Sequence, residues 1–270
     1  MKRALNIFFL LAMGIWSLGP FVWQWLTSVK DPAAVSRIPP LLPDMPIWTN
    51  YASVLQNREF MRVIGNSLAV SLGALGVALI VGSLGAFGIS RFLNRRKHLA
   101  LLTLLVVFMI PPVSVVTPFY SLLVRLRLMD TLAGLILIDS VFCVPLVVWV
   151  MVQVFDEIPD SLYRAARVDG CPAWTIFRRI YLPLGQSGLI SAGLLCLMFC
   201  WNEFLFALTF TSTYAARTIP VGITLFSGQF EFPWGEISAA TSLVTFPLLL
   251  IVVFAQRYLV RGLAGSGLKG

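Results

Sequence analysis

The sequence contains few charged residues. Aspartate, glutamate, lysine and arginine together make up 12% of its 270 residues, whereas soluble domains carry about 25%. Hydrophobic residues make up 58% of the chain, and its mean hydropathy is +0.87. This composition excludes an ordinary soluble domain and predicts a polytopic membrane protein.

Residues that bind metals or form nucleophile–base pairs are also scarce. The only histidine, His98, lies in a basic cluster, and the four cysteines include no Cys-x-x-Cys pair. Cys196 and Cys200 share a helix face because they are four residues apart, but the neighbouring sequence offers no further ligands for a metal site. We therefore expect no metal and no catalytic residues, and we interpret the cysteines as small core residues.

A nucleotide-binding motif is absent. The chain has no Gly-x-x-x-x-Gly-Lys-Ser/Thr run, the loop whose backbone holds phosphates in P-loop ATPases. We therefore expect no cofactor in this chain. The net charge of +8 would suit a nucleic acid, but the basic residues lie at the ends of apolar segments, where membrane orientation places them. We expect no nucleic-acid partner.

Long apolar segments account for most of the chain. A membrane-spanning helix needs about 20 apolar residues, and the segments that meet this requirement are 4–26, 63–90, 99–122, 132–155, 184–209 and 238–259. We predict an all-α polytopic membrane protein with about six transmembrane helices, in a single domain that covers residues 1–270. The first segment is too long for the core of a signal peptide, and no Ala-x-Ala site follows it, so we expect it to be kept as a span.

The basic residues are distributed unevenly between the two sides of these spans. With the N-terminus in the cytoplasm, thirteen of the 20 lysines and arginines fall on the cytoplasmic side and seven on the outer side. Short cytoplasmic loops of membrane proteins carry an excess of these residues. The distribution therefore predicts that both termini are cytoplasmic, and it places the polar segment between spans four and five in the cytoplasm.

This polar segment, residues 156–183, is termed the polar insert. Leu162, Ala165 and Ala166 fall on one face of a helix because of their i, i+3, i+4 spacing. Asp169-Gly170 then interrupts the helix, since glycine adopts the positive φ of a sharp reversal and aspartate bonds nearby amides. A second helix follows it. The pattern predicts a helix–turn–helix; by periodicity alone, two ordinary interfacial helices are an equal alternative.

The residues of the polar insert resemble the EAA loop of ABC importer permeases. The matching positions are Ala165-Ala166-x-x-Asp169-Gly170 and Ile180-x-Leu182-Pro183. In that family the loop is a coupling helix that sits in a cleft of a separate ATPase subunit. Two positions depart from the pattern, because the family's glutamate is replaced by Arg164 and its usual alanine by Cys171. The resemblance implies that ATPase coupling depends on Arg164, Ala165, Ala166, Asp169, Gly170, Leu182 and Pro183.

Other segments resemble the carbohydrate-importer branch of this family, which includes the smaller permease subunit of maltose transporters. They are Asn66-Ser67, Pro111-Pro112, Asp130-Thr131-Leu132-x-Gly134-Leu135, Trp201–Leu208 and the tail from Gln256 to Gly270. The resemblance covers nearly the whole chain. It implies a permease subunit, not an enzyme, that forms half of the translocation pathway of an ATP-driven importer. The implied substrate is a sugar (a mono-, di- or oligosaccharide or a related polyol), and the implied location is a bacterial cytoplasmic (inner) membrane.

The same resemblance implies a set of partners. They are a second, related permease subunit, two copies of an ABC ATPase subunit and an extracytoplasmic sugar-binding protein, with membrane lipid around the spans. ATP and magnesium are then bound by the ATPase and not by this chain.

Two carboxylates lie inside predicted spans, Asp139 in the fourth and Glu203 in the fifth. Charged groups inside a membrane usually face the bundle interior or water. At 1.5 Å per residue, Asp139 lies about 10 Å from the outer end of its span and Glu203 about 28 Å from the inner end, so both fall in the outer third. We expect them to border a sugar cavity, with an amide from Asn202 and apolar faces from Trp201 and Phe204.

Two alternatives to this cavity remain open. In the first, Glu203 and Asn202 bond the backbone or a partner helix and hold the bundle together. In the second, the protein is a proton-coupled secondary transporter in which Asp139 and Glu203 relay protons. The glycines of the second span also allow two interpretations, since their spacing suits close packing either against a partner permease or within this subunit.

Overall fold

The computed structural model describes residues 2–31, 42–43, 45–93, 96–225 and 233–264, with side chains described between residues 5 and 255 of these ranges. Across these ranges the regular structure is helical and no strand occurs, which confirms the all-α prediction. The tail motif lies outside the described side chains, and its last six residues lie outside the described residues altogether.

Thirteen α-helices follow one another along the described parts of the chain. They are α1 (Lys2–Ser28), α2 (Thr49–Gln56), α3 (Arg58–Phe92), α4 (Lys97–Phe108), α5 (Val116–Leu126), α6 (Leu132–Glu157), α7 (Asp160–Val168), α8 (Ala173–Ile176), α9 (Leu182–Leu184), α10 (Gln186–Trp201), α11 (Leu205–Phe210), α12 (Ile219–Thr224) and α13 (Trp234–Ala264). A 3₁₀ turn, Pro112–Val115, precedes α5, and a π-helical turn, Phe177–Tyr181, joins α8 to α9.

Within the described ranges, four helices are each long and apolar enough to cross a membrane alone, and there are up to six spans if each of two bent helix pairs counts as one. The four are α1, α3, α6 and α13, which correspond to the first, second, fourth and sixth predicted spans. The count of about six is therefore consistent with the structure, but the third and fifth spans are not straight helices.

The predicted third span, 99–122, is bent at two consecutive prolines. Lys97–Phe108 and Pro112–Leu126 meet at 85°. Pro112 has no backbone N–H to donate, and Pro111, which precedes it, is held out of the helical region with φ −59° and ψ 129°. The helix therefore stops before the prolines and restarts in a new direction.

The predicted fifth span, 184–209, is interrupted at both ends. Helix α10 meets the preceding helical stretch at an angle of 77° near Gly185 and ends at Trp201, so that residues 202–204 are not helical before α11 begins. A Cβ at position 185 would lie 2.8 Å from the Phe155 ring and 2.9 Å from the Tyr181 carbonyl oxygen. Only glycine fits in this bend.

The chain divides into two compact units, residues 1–64 with 219–247 and residues 65–218 with 248–270. Helices α3 and α13 each contribute residues to both units, and the single domain over residues 1–270 stays a prediction. In the first unit, the Asn50 amide closes the end of α1, since its Nδ2 donates to the carbonyl oxygens of Ser28 at 2.9 Å and Lys30 at 3.0 Å.

The second unit is built around α6, which packs against α3 and α10. Of the span-two glycines, Gly73, Gly82 and Gly85 face α6, where an added Cβ would lie 2.6, 2.7 and 3.5 Å from its side chains. Gly76 and Gly88 have no such neighbour within 4 Å. Three of the five glycines therefore serve packing within this subunit, and two leave open space on α3.

Candidate functional site

The polar insert folds as the predicted helix–turn–helix. Helix α7 ends in a reversal at Gly170, whose φ is +77°. The Gly170 N–H donates to the Arg167 carbonyl at 3.1 Å, and the Cys171 N–H donates to the Ala166 carbonyl at 2.9 Å. These two bonds form a Schellman motif, which satisfies the last carbonyls of a helix and requires a left-handed residue such as glycine.

A cluster of aromatic rings holds the polar insert against the end of α3. The Phe87 ring lies 4.9 Å from Tyr181, 5.3 Å from Phe177 and 6.4 Å from both Phe155 and Tyr163, measured between centroids. Each aromatic pair of this kind contributes about 0.5–1.5 kcal/mol beyond its buried area. The rings come from α3, α6, α7 and the π-helical turn, so they join these four elements into one packed body.

Arg91, in the last turn of α3, joins the same elements through polar contacts. Its guanidinium forms an ion pair with Asp160 and donates to the carbonyl oxygens of Phe155 and, at 3.1 Å, Ile158. It also lies 4.9 Å from the centre of the Tyr181 ring. The side chain is only 6% exposed. Arg91 therefore fixes the point at which the chain leaves α6 and enters α7.

A second set of polar contacts lies beside Arg91. Lys97 pairs with Asp156, and the Ser90 hydroxyl donates to the same carboxylate at 2.6 Å. These residues line a polar cleft of about 600 Å³ that also includes His98 and Arg164. Sequence reasoning counted Arg91 and Lys97 only as residues that orient the membrane spans. The sequence contains no local signal for their contacts, which join positions about 60 or more residues apart.

The residues predicted to couple to an ATPase divide into an outer and an inner group. Ala166 packs inward, and Leu182 is partly buried, whereas Pro183 and Gly170 are exposed. Asp160 and Ser161, at the start of α7, are exposed as well. We use the term α7 face for a set of exposed residues further along the helix and in its turn, which are Leu162, Arg164, Ala165, Arg167, Val168 and Asp169. Val168, an apolar member of this face, is 87% exposed.

The residues predicted for the substrate path cluster at the break after α10. The Glu203 carboxylate accepts the N–H groups of Phe206 at 2.7 Å and Ala207 at 3.0 Å, and it thereby caps the start of α11. The Asn202 Nδ2 donates to the Met198 carbonyl at 2.8 Å. Both polar side chains therefore bond the backbone, as the bundle-holding alternative expects, and a role in the path stays a prediction.

The other three path residues surround this break. Trp201 is partly buried, and Phe204 is exposed. Asp139 is 1% exposed, and its Oδ1 has no hydrogen-bond partner among the described residues. Asp139 lies one helical turn from Cys143 in α6, and Glu203 follows Cys200 by three residues; the Cys143 and Cys200 sulfurs are 3.4 Å apart. The two carboxylates therefore lie near the same contact between α6 and α10.

Asp130 fastens the connection between α5 and α6 to the chain that follows α11. Its carboxylate accepts the N–H groups of Ser212 at 2.8 Å and Thr213 at 3.1 Å and the Thr213 hydroxyl at 2.8 Å. Burial by itself would raise the pKa of this carboxyl, but the three hydrogen bonds outweigh it and hold the pKa of Asp130 below its ordinary value. Asp130 also adopts a positive φ of 55°.

The motif residue Asn66 holds the same region of the chain in place, since its Nδ2 donates to the Tyr214 and Arg217 carbonyls.

Comparison with known proteins decides the family. Residues 60–265 match the family described as "Binding-protein-dependent transport system inner membrane component". The chain belongs to this family. Relatives of this permease include the "Trehalose transport system permease protein SugB" of Mycobacterium tuberculosis, which is 34% identical over 257 residues, 94% of this chain and 93% of the relative. The "Trehalose/maltose transport system permease protein MalG" of Thermococcus litoralis is 32% identical over 274 residues, 100% of this chain and 98% of the relative.

A solved structure shows the same fold. It is that of a bacterial ABC transporter involved in the import of the acidic polysaccharide alginate, and it superposes with a TM-score of 0.82 and 20% identity over 95% of this chain and 96% of the other. The prediction of an ABC importer permease, and not an enzyme, is confirmed. The permease is a multi-pass membrane protein, and no comparison supports the proton-coupled alternative.

Proposed function

We propose that this permease forms half of the translocation pathway of an ATP-driven sugar importer and couples to a separate ATPase through the α7 face. The observation that supports the coupling is the combination of an exposed α7 face with a rigid attachment to α3 and α6. Val168 is 87% exposed, while Arg91 and the Phe87 cluster hold the other side of α7 in place. A rigidly attached surface of this kind moves together with a bound partner and passes that movement to α3 and α6.

The proposal that the substrate is a sugar rests on the names of the relatives and on the residues at the break after α10. Relatives at 32–34% identity are named for the transport of trehalose and maltose, and a further one, at 33%, for sulfoquinovosyl glycerol. Sugars need several hydrogen-bonding groups together with flat apolar faces. Asn202, Phe204 and Trp201 supply these groups at an interruption of a span, beside the partly buried carboxylate of Glu203 and close to the buried carboxylate of Asp139.

The partners follow from this function. ATP and magnesium bind to two copies of an ABC ATPase subunit, a second related permease supplies the other half of the pathway, and an extracytoplasmic protein delivers the sugar. A solved alginate transporter with this fold was captured in complex with a pentasaccharide-bound periplasmic protein. In a bacterial inner membrane with both termini in the cytoplasm, the polar insert lies on the cytoplasmic side and faces the ATPase. Its arginines agree with this placement, because cytoplasmic loops carry an excess of lysine and arginine.

The mechanism that we propose is mechanical. ATP binding draws the two ATPase subunits together, and α7 moves with the subunit to which it is docked. The ATPase must bind one arrangement of the spans more tightly than the other, since a ligand shifts an equilibrium only by its differential affinity. The packed contacts of α7 with α3 and α6 convert that difference into a movement of the spans.

The first test is to purify the tagged permease from its host in mild detergent and to identify the proteins that accompany it. We expect an ABC ATPase, and after reconstitution with its binding protein we expect ATP-dependent uptake of labelled trehalose or maltose that a protonophore leaves unchanged. Absence of any ATPase, together with uptake that the protonophore abolishes, would overturn the proposal.

A matched pair of variants at Gly170 tests the coupling. Gly170→Val forces a β-branched residue to a φ of +77°, where side chains cost about 1–2 kcal/mol, whereas asparagine tolerates this conformation. Space does not limit either variant, since a Cβ there has no neighbour within 4 Å. We expect Gly170→Val to lose sugar-stimulated ATP hydrolysis and Gly170→Asn to keep most of it, with equal membrane insertion. Full stimulation in Gly170→Val would remove the coupling role.

A further inference from the structure

The polar insert carries equal numbers of acidic and basic residues, but only its acidic residues form ion pairs among the described residues. It contains four acidic residues, Asp156, Glu157, Asp160 and Asp169, and four basic ones, Arg164, Arg167, Arg178 and Arg179. In the structure, Asp156 is paired with Lys97 and Asp160 with Arg91. Both cations come from outside the insert. Half of its negative charge is therefore neutralised by α3 and α4, while none of its four arginines forms an ion pair among the described residues.

The imbalance is concentrated on the α7 face. Arg164 is exposed and makes no hydrogen bond or ion pair within the described part of the chain. Arg167 is exposed as well, and only its Nη1 is engaged, at 3.3 Å from the Cys171 carbonyl oxygen. Asp169 is the acidic member of the face, and Asp160, at the start of the helix, is exposed as well but is paired with Arg91. The two guanidinium groups lie three residues apart on one helix, and the exposed Val168 lies four residues from Arg164 on the same side.

We propose that the α7 face selects an ATPase whose docking cleft presents acidic side chains to Arg164 and Arg167. This inference rests on the proposed function, because it concerns the chemistry of the partner that docks there. A guanidinium that is removed from water without a partner loses solvation that only a carboxylate or several acceptors can replace. Arginine also pairs with a carboxylate through two parallel hydrogen bonds, which fixes direction as well as charge.

The same arrangement gives the transporter a means of rejecting wrong ATPases. Arg164 stands where the resembled loops carry glutamate, so a cleft that is complementary to glutamate presents a cation to Arg164 and is repelled by it. Specificity of this kind comes from the repulsive contact as much as from the attractive one. The apolar Val168 between exposed charges favours a protein cleft over a layer of lipid headgroups, since headgroups would offer no apolar surface to it.

The test measures binding of the ATPase identified in the purification above to the permease in detergent, between about 50 mM and 500 mM NaCl. We expect the dissociation constant of the unaltered permease to rise with salt. We expect Arg164→Gln to raise it about ten-fold at low salt and Arg164→Glu about a hundred-fold, because one substitution removes an ion pair and the other creates a repulsion. Substituting arginine for one acidic cleft residue of the ATPase should restore most of the binding of Arg164→Glu.

Arg125→Gln serves as the matched control. Arg125 is an exposed arginine in the last turn of α5, and the length of α6, about 39 Å at 1.5 Å per residue, separates its region from α7. We expect this variant to bind as the unaltered permease does. Because Arg164 is exposed and has no ion pair with any described residue, its substitution should leave folding intact, and equal thermal unfolding of the variants checks this point.

The possible outcomes separate the inference from the function on which it rests. If the ATPase binds but neither salt nor Arg164→Glu changes its affinity, the acidic cleft is wrong while the docking stands. If no ATPase binds the unaltered permease at low salt, the docking itself is wrong. The same measurement in nanodiscs that contain phosphatidylglycerol tests for lipid: if Arg164→Glu weakens binding there and not in detergent, Arg164 faces lipid and the acidic cleft is overturned.

Discussion

Removal of the Arg91 guanidinium should loosen α7 without disturbing the spans. Methionine at this position keeps the apolar stem, and with it the packing against Tyr181, but loses every polar contact. The ion pair with Asp160 contributes little, about 0–1 kcal/mol, because the Asp160 side chain is 67% exposed. The main loss is the pair of bonds from a buried cation to the carbonyls of Phe155 and Ile158.

The size of the effect follows from these two bonds. A hydrogen bond that involves a charged group contributes about 1.5–3 kcal/mol, and water can reach part of the end of α6 once the side chain is shortened. We therefore expect Arg91→Met to lower the local stability of α7 by about 2–4 kcal/mol. At about 1.4 kcal/mol for each factor of ten, amide hydrogen exchange across Asp160–Val168 should then be about 30-fold to 700-fold faster.

Two further variants make the measurement selective. Arg91→Lys keeps the charge but not the fork of donors, so its exchange should fall between that of the unaltered protein and that of Arg91→Met. Arg96→Met removes an exposed arginine at the start of α4 and should leave exchange in α7 unchanged. If Arg91→Met exchanges within about a factor of two of the unaltered protein, Arg91 does not hold α7.

Two other predictions concern packing and pH. Gly82→Ala would place a Cβ 2.7 Å from Val147 and should cost about 1–3 kcal/mol in thermal unfolding. Gly76→Ala, which meets nothing within 4 Å, should cost nothing; equal losses would contradict the packing of α3 on α6. Asp130→Asn should cost about 1–2 kcal/mol at neutral pH. Because the pKa of Asp130 is lowered in the folded state, its contribution is complete above the ordinary value of 3.8 and disappears as the pH falls through the lower folded pKa. A difference between Asp130→Asn and the unaltered protein that persists below the folded pKa would show that the charge is not responsible.

The sequence was sufficient to predict the elements whose signals are local. Apolar length located the spans, and the Asp169-Gly170 dipeptide located the turn of the polar insert, because a positive φ at glycine is a property of one residue. The motif residues Asn66 and Asp130 stood out as matches to a family, and the structure adds the reason, since both bond the chain between Ser212 and Arg217.

The bends and the polar contacts of Arg91 could not be predicted in the same way. Apolar length does not distinguish a straight helix from two shorter ones, so the span at 184–209 looked continuous although Gly185 and residues 202–204 interrupt it. In the sequence, Arg91 cannot be distinguished from any other basic residue at the end of a membrane span. Its role depends on Asp160 and on two carbonyls more than 60 residues away, a distance in sequence that no local pattern covers.

In the proposed function, one continuous structure joins the ATPase to the sugar. The α7 face meets the ATPase, and Tyr163 and Tyr181 connect α7 to the π-helical turn. That turn runs through α9 to the bend at Gly185, where the contacts of Phe155 and Tyr181 leave no space for a larger residue. Helix α10 begins there and, after about 24 Å at 1.5 Å per residue, reaches the break that carries Asn202 and Glu203. Because each of these joints is packed, we expect a displacement of α7 to move α10 and the polar groups at its end.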